Sequence, residues 1–227
     1  MNSKQRRYCA ENSIPAIDLT AYYISNYPEV PVDKVLYGIK KQAHHWGLDI
    51  SGSGVRNDFT IQNTDLRKKE IDLVKKWIVA SSKMGAPVLR VFAGKSKVEG
   101  AAWKEVADGV ISAMQECASF GAENGVIVAM QNHNDFIKSA DQVNYIMENV
   151  NKEWFGLVLD VGSYSLKDPY EEISRNVHHA VNWQIKENVN YLGTQKPVDL
   201  KTLMKIIKSS DYNGSLPIAT LGPGDPF

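Results

Sequence analysis

Cysteine is scarce in this chain: Cys9 and Cys117 are the whole complement. Two such residues, each inside a helix-like apolar pattern, make neither a disulfide framework nor a CxxC metal site. They read as buried free thiols. No apolar run approaches the roughly 18 residues of a membrane span, which argues against a membrane protein. Neither sign of charge is in excess, with 26 Lys and Arg against 26 Asp and Glu. Nucleic-acid binders usually carry a basic surplus, so that class loses ground. The polar stretch Met1–Arg7 contains no signal-peptide core, and cytoplasm is the default compartment. Nucleotide motifs are missing too. Gly52-Ser-Gly54 is followed by Asn57 where a dinucleotide fingerprint needs its third glycine, and no P-loop occurs.

What is present is the composition of an ordinary globular protein, 43% hydrophobic and 23% charged over 227 residues. No linker or composition break divides it, so residues 1–227 are expected to form one domain. The organising stretch is Gly125–Phe136. Five apolar residues, Val126 to Met130, run into Gln131, Asn132, His133, Asn134 and Asp135. A short continuous apolar run suits a strand buried on both faces, and a polar tip on such a strand is where α/β folds place chemistry. Similar tips end Val88–Phe92, Leu157–Asp160 and Val181–Lys186. Further strands are expected at Ile14–Asp18, Leu48–Ser51 and Ser215–Thr220. Helices are expected between them: the end of one over Lys4–Asn12, then one carrying Val35, Leu36, Ile39, Ala43 and Trp46. Asp65–Met84, with Leu66 and Trp77 inward, and Ala102–Asn124 follow. Ser139 and Asp168 are capping signatures, and Asp199–Ser209 is the last helix. Seven strands alternating with helices predict parallel β/α architecture. Polar tips spread over many strands favour a (β/α)8 barrel over a doubly wound sheet.

At these residues the chain resembles the xylose isomerase-like TIM-barrel superfamily, the sugar phosphate isomerase/epimerases. Ile14–Thr20, Leu89–Gly94, Gln131–His133, Leu159–Gly162, Ala180–Lys186 and Leu216–Gly222 stand in that family's order. The resemblance implies a strand before the first helix and a helix after the last strand. Neither is seen, so the expectation is a barrel of seven visible strands, incomplete at both ends. An open sheet edge at Ile14 or Ser215 would then pair with another chain, as in a homo-oligomer, or be covered. The family holds a divalent metal (Mn, Zn or Mg) with Glu, Asp, His and Glu. Carried over, these fall on Gln131, Asp160, Gln184 and Ala219, and only the Asp is kept. The implied function is isomerisation or epimerisation of a sugar or sugar phosphate by proton transfer next to a carbonyl, with a site impaired in this chain. The alternatives are a catalytically inactive carbohydrate-binding barrel and a lyase on oxidised sugars.

Each candidate has two readings. Asp160, Gln131 and Gln184 are either metal ligands or polar filling, and the two glutamines and Asn132 are also candidates for substrate hydrogen bonds. His133 suits general acid/base work near neutral pH, or it orients Asp160 or a neighbour. Lys186 shares a strand face with Gln184 and either contacts substrate, as a catalytic residue for proton transfer or oxyanion stabilisation, or pairs with Asp160 or Glu187. Arg90 lies inside an apolar strand, where an unpaired charge is costly, so it needs a partner: a barrel carboxylate or a substrate. His44–His45 and His178–His179 lie away from strand tips and read as surface or packing residues.

Overall fold

The computed structural model describes residues 8, 9 and 11–219. Among them, six strands form one parallel sheet in chain order. They are β1 (Ala16–Thr20), β2 (Asp49–Gly54), β3 (Val88–Phe92), β4 (Ile127–Gln131), β5 (Phe155–Asp160) and β6 (Ala180–Gln184). Helices α1 (Asp33–His45), α2 (Thr64–Met84), α3 (Gly100–Asn124), α4 (Ala140–Val150) and α5 (Pro169–Asn176) connect them, and α6 (Leu200–Lys208) follows β6. Local chemistry sets the boundaries. Asn63, Ser139, Asp168 and Asp199 accept backbone N–H bonds as N-caps. Gly85 and Gly125 close α2 and α3 in the left-handed conformation that glycine adopts without strain. Of the expected first helix, residues 4–7 and 10 lie outside the described residues.

Side chains alternate across the sheet. Leu89, Val91, Val128, Met130, Leu157, Leu159 and Trp183 join the large outer core against the helices. Val88, Ala129 and Val158 form a smaller cluster on the other face. That inner face is strongly curved. Asn182 on β6 brings its Nδ2 to 3.4 Å from Asp18 Oδ2 on β1 and to 3.3 Å from the Ser51 carbonyl. In a flat sheet, five strand spacings would separate β1 from β6 by about 24 Å. The sheet therefore rolls up like a TIM barrel but stays open between its first and last strands.

The expected seventh strand is reduced to one bridge. Ile185 donates to the Pro217 carbonyl, and Ala219 donates back to Ile185. Pro217 has no N–H to extend the ladder, and Thr220 lies outside the described residues. An apolar slot of about 690 Å³ opens between β1 and Ser215–Ile218, lined in part by Ile17, Leu19, Ile24 and Leu216. Sequence reasoning also missed the antiparallel hairpin β7 (Asn188–Tyr191) and β8 (Thr194–Pro197), turned by Leu192 and Gly193 at positive φ. Val35, Trp46 and Leu66, expected to face inward, are exposed. All three sit in terminal turns, outside the packed middle of their helices. No helix among the described residues is long and apolar enough to cross a membrane.

Both cysteines are free and buried, and burial pushes the Cys117 thiol up to about 12. His179 packs on His178 with ring centroids 3.8 Å apart, and its Nε2 meets Asn144 Oδ1 at 3.1 Å. Burial, and secondarily His178, lowers its pKa from 6.5 to about 4. The unfolded chain then binds more protons in this interval, so stability holds above about pH 6.5 and falls as pH drops toward 4. Urea midpoints measured across that window are expected to decline on acidification, and His179→Gln should flatten the decline. The same slope in that variant would assign the loss to other groups.

A candidate functional site at the mouth of the open barrel

The inward residues at the C-terminal strand ends gather around a cavity of about 610 Å³. Parallel pairing sets Phe92 beside Gln131, Gln131 beside Val158, and Asp160 beside Gln184. Gln131, which is buried, is the hub. Its Nε2 donates to Asp160 Oδ2 at 2.7 Å and to Gln184 Oε1 at 3.1 Å, and its Oε1 accepts from Arg90 at 3.1 Å. Asp160 is also buried and accepts from the Gly162 N–H at 2.9 Å through Oδ1. Lys186 Nζ stands 3.9 Å from Asp160 Oδ2. Gln131, Asp160, Gln184 and Lys186 thus lie together at the C-terminal strand ends.

His133 lies on the rim rather than against Asp160. Its Nδ1 is 3.3 Å from Asp135 Oδ2, and its ring meets Phe92 edge-on at 5.1 Å. His133 does not meet Asp160; its orienting contact falls on a neighbour, Asp135, because the backbone leaves β4 at Gln131 and carries His133 outward. Asn132 turns the other way. Its amide accepts from the Asp160 N–H at 2.7 Å and donates to the Asp160 carbonyl at 3.0 Å. It is fully buried and clamps β4 to β5, so its amide does not reach the cavity as a substrate contact would require.

Arg90 also departs from expectation, because both of its hydrogen bonds go to neutral oxygens. They run to Gln131 Oε1 and, at 3.4 Å, to the Tyr22 hydroxyl. Among the described residues it has no carboxylate within ion-pair distance. The guanidinium lies flat over Gly54, where any Cβ would collide with it, and 4.5 Å from the Phe92 ring centre. Asp18 feels it through space. Burial raises the Asp18 carboxyl above its ordinary value, and Arg90 pulls it partly back. Sequence reasoning assigned no role to Asp18, Tyr22 or Arg56. Each stands on a strand or just beyond a strand tip, which was the available signal. Arg56 covers the Tyr22 ring at 4.2 Å on the mouth's edge.

A divalent cation does not suit this centre. Among the described residues no three His, Cys, Asp or Glu side chains come together to hold a metal. The one central carboxylate already accepts from Gln131 and Gly162, and Lys186 stands beside it. The Gln131 amide turns N–H groups, not its oxygen, toward Asp160 and Gln184. Ala219, which lines the mouth, has no ligating atom in its side chain. Hard cations require several converging oxygens, and here cationic groups occupy the neighbourhood.

An open parallel barrel with a polar mouth at its C-terminal strand ends defines the class. The chain belongs to the xylose isomerase-like TIM barrel family, whose family model matches residues 16–223. Among similar solved structures is a xylose isomerase domain protein from Planctomyces limnophilus, at 14% identity and TM-score 0.76, covering 94% of this chain and 84% of that one. A D-psicose 3-epimerase studied in the presence of D-fructose gives 13% identity and TM-score 0.78, with 95% and 78% covered. A xylose isomerase-like TIM barrel protein from Mycobacterium smegmatis in complex with magnesium gives 15% and 0.72, with 98% and 82% covered. Comparison with functionally curated proteins gave no match.

Proposed function

We propose that the mouth binds a sugar or sugar phosphate, and that proton transfer of the isomerase/epimerase type is impaired in this chain. The observation that carries this reading is the Gln131 amide, which bonds Asp160, Gln184 and Arg90 at once. It ties the centre into a hydrogen-bonded network at the place where the family resemblance puts a metal-binding carboxylate. Such a network offers hydroxyl-binding groups in a concave, partly buried site. Gln184 and the rim amides of Asn134, Asn188 and Gln195 supply donors and acceptors for sugar hydroxyls, and Phe92 supplies an apolar wall.

Of the chain's own residues, Lys186 is placed to stabilise negative charge on a carbonyl oxygen, and His133, held by Asp135, to move a proton at the rim. Asp160 is already engaged: it accepts from Gln131 and Gly162, and Lys186 Nζ stands beside it. Removing a proton next to a carbonyl needs a base at the C–H and charge stabilisation at the carbonyl oxygen. The mouth supplies the second better than the first. The test is a titration of sugars and sugar phosphates with EDTA present, followed by an isomerase assay with and without Mn2+. Expected are sugar binding insensitive to EDTA and turnover that Mn2+ does not raise. Mn2+-dependent turnover by the unmodified chain would overturn the impaired-site reading. Binding without turnover would favour the inactive carbohydrate-binding barrel over an enzyme.

A further inference from the structure

The charges around the mouth do not balance locally. Arg56, Arg90, Lys95 and Lys186 line it against three carboxylates. Two of those are engaged: Asp135 with His133, and Asp160 with Gln131, Gly162 and Lys186. The third, Glu187, is exposed at the rim. Arg90 is different in kind. Only 4% of its surface is exposed, its two hydrogen bonds end on neutral oxygens, and its remaining N–H groups have no hydrogen-bond partner among the described residues. A buried guanidinium whose hydrogen bonds end on neutral oxygens, with the Asp18 carboxyl acting on it only through space, keeps part of its desolvation penalty uncompensated. Its planar fork fits a carboxylate or a phosphate by paired N–H bonds. Gly54 beneath it and Phe92 beside it leave the guanidinium in a set position at the cavity wall.

We infer that the ligand of this mouth is an anionic sugar, carrying a carboxylate or a phosphate that Arg90 receives, with Arg56 and Lys186 adding to the positive field. The inference rests on the sugar-binding reading above and specifies the substrate class. The anionic group completes the ion pair that the fold leaves open, while Gln184 and the rim amides take the hydroxyls. Binding is then independent of a divalent cation, because the fixed cations are side chains.

The experiment is calorimetric titration of the full chain in EDTA. Glucose, fructose and ribose are compared with glucuronate, fructose 6-phosphate and ribose 5-phosphate, at about 20 mM and about 300 mM salt. Because hydrogen bonds to charged partners are about twice as strong as neutral ones, an anionic sugar is expected to bind at least about tenfold tighter than its neutral parent. The difference should shrink at the higher salt, where screening is stronger. The uronate and phosphate arms show which anion is preferred. Arg90→Gln should erase the preference. Because Arg90 is buried, Arg56→Gln at the exposed rim is measured beside it, with circular dichroism as the folding check, and a partial loss is expected there. Equal affinity for neutral and anionic sugars overturns the inference and leaves the sugar-binding reading standing. Absence of binding by every sugar in the panel overturns both. An unchanged preference in folded Arg90→Gln and Arg56→Gln proteins overturns the assignment of these residues.

Discussion

Replacing Gln131, Gln184 and Ala219 together by Glu, His and Glu is expected to tighten Mn2+ binding by at least about a hundredfold, since affinity at such sites follows the number of charged ligands. The unmodified centre has one carboxylate, Asp160, and that group is occupied by Gln131 and Gly162 with Lys186 alongside. Gln131→Glu removes the amide N–H that now binds Asp160 and puts an oxygen in its place. Gln184→His adds a ring nitrogen on the neighbouring strand. Ala219→Glu supplies a donor where there is none. Ala219→Glu alone should give a smaller gain, because the Gln131 amide would still face Asp160. Calorimetric titration of the three proteins with Mn2+ decides this. A folded triple variant with no gain would mean that Lys186 and Arg90, rather than missing donors, keep the cation out. Adding Lys186→Met would separate those two causes.

The second large effect concerns stability. Trp77 is fully buried in the middle of α2 within the outer core. Its Nε1 donates to the Pro28 carbonyl at 3.0 Å, and its ring lies 5.7 Å from that of Tyr27. Tyr27 in turn bonds the Arg56 backbone at 2.9 Å, so the contact also supports the loop at the edge of the mouth. Trp77→Ala removes the largest kind of side chain from a packed interior and should cost about 3–5 kcal/mol. That is a large part of the roughly 5–15 kcal/mol of a typical domain. Trp77→Phe keeps most of the volume and should lose less. Urea denaturation monitored by circular dichroism measures both. Equal midpoints for Trp77→Ala and the unmodified chain would show that the α2 packing contributes little.

What the sequence determined by itself is the pattern that depends on neighbours along the chain. Apolar runs marked β3, β4 and β5, because strands buried on both faces read as near-continuous apolar runs. Ser139 and Asp168 were legible as caps because capping is local chemistry. The polar strand tips at Gln131, Asp160, Gln184 and Lys186 were legible for the same reason, since each follows an apolar run in sequence. Tertiary structure decided the rest. The 215–219 segment reads as a strand like the others, yet only its neighbours determine that it forms one bridge to Ile185. The hairpin after β6 carries no buried periodic face, so no sequence period announced it. Asn132 and His133 are adjacent to Gln131 and equally polar, but the backbone path beyond β4 turns one into the β5 clamp and the other onto the rim. Arg90 needed a partner by any electrostatic argument. Only the curvature of the sheet, which brings Asp18, Asn182, Gln131 and Tyr22 to the inner face from elements far apart in the chain, decided that its hydrogen bonds would be neutral and its charge left open to the cavity.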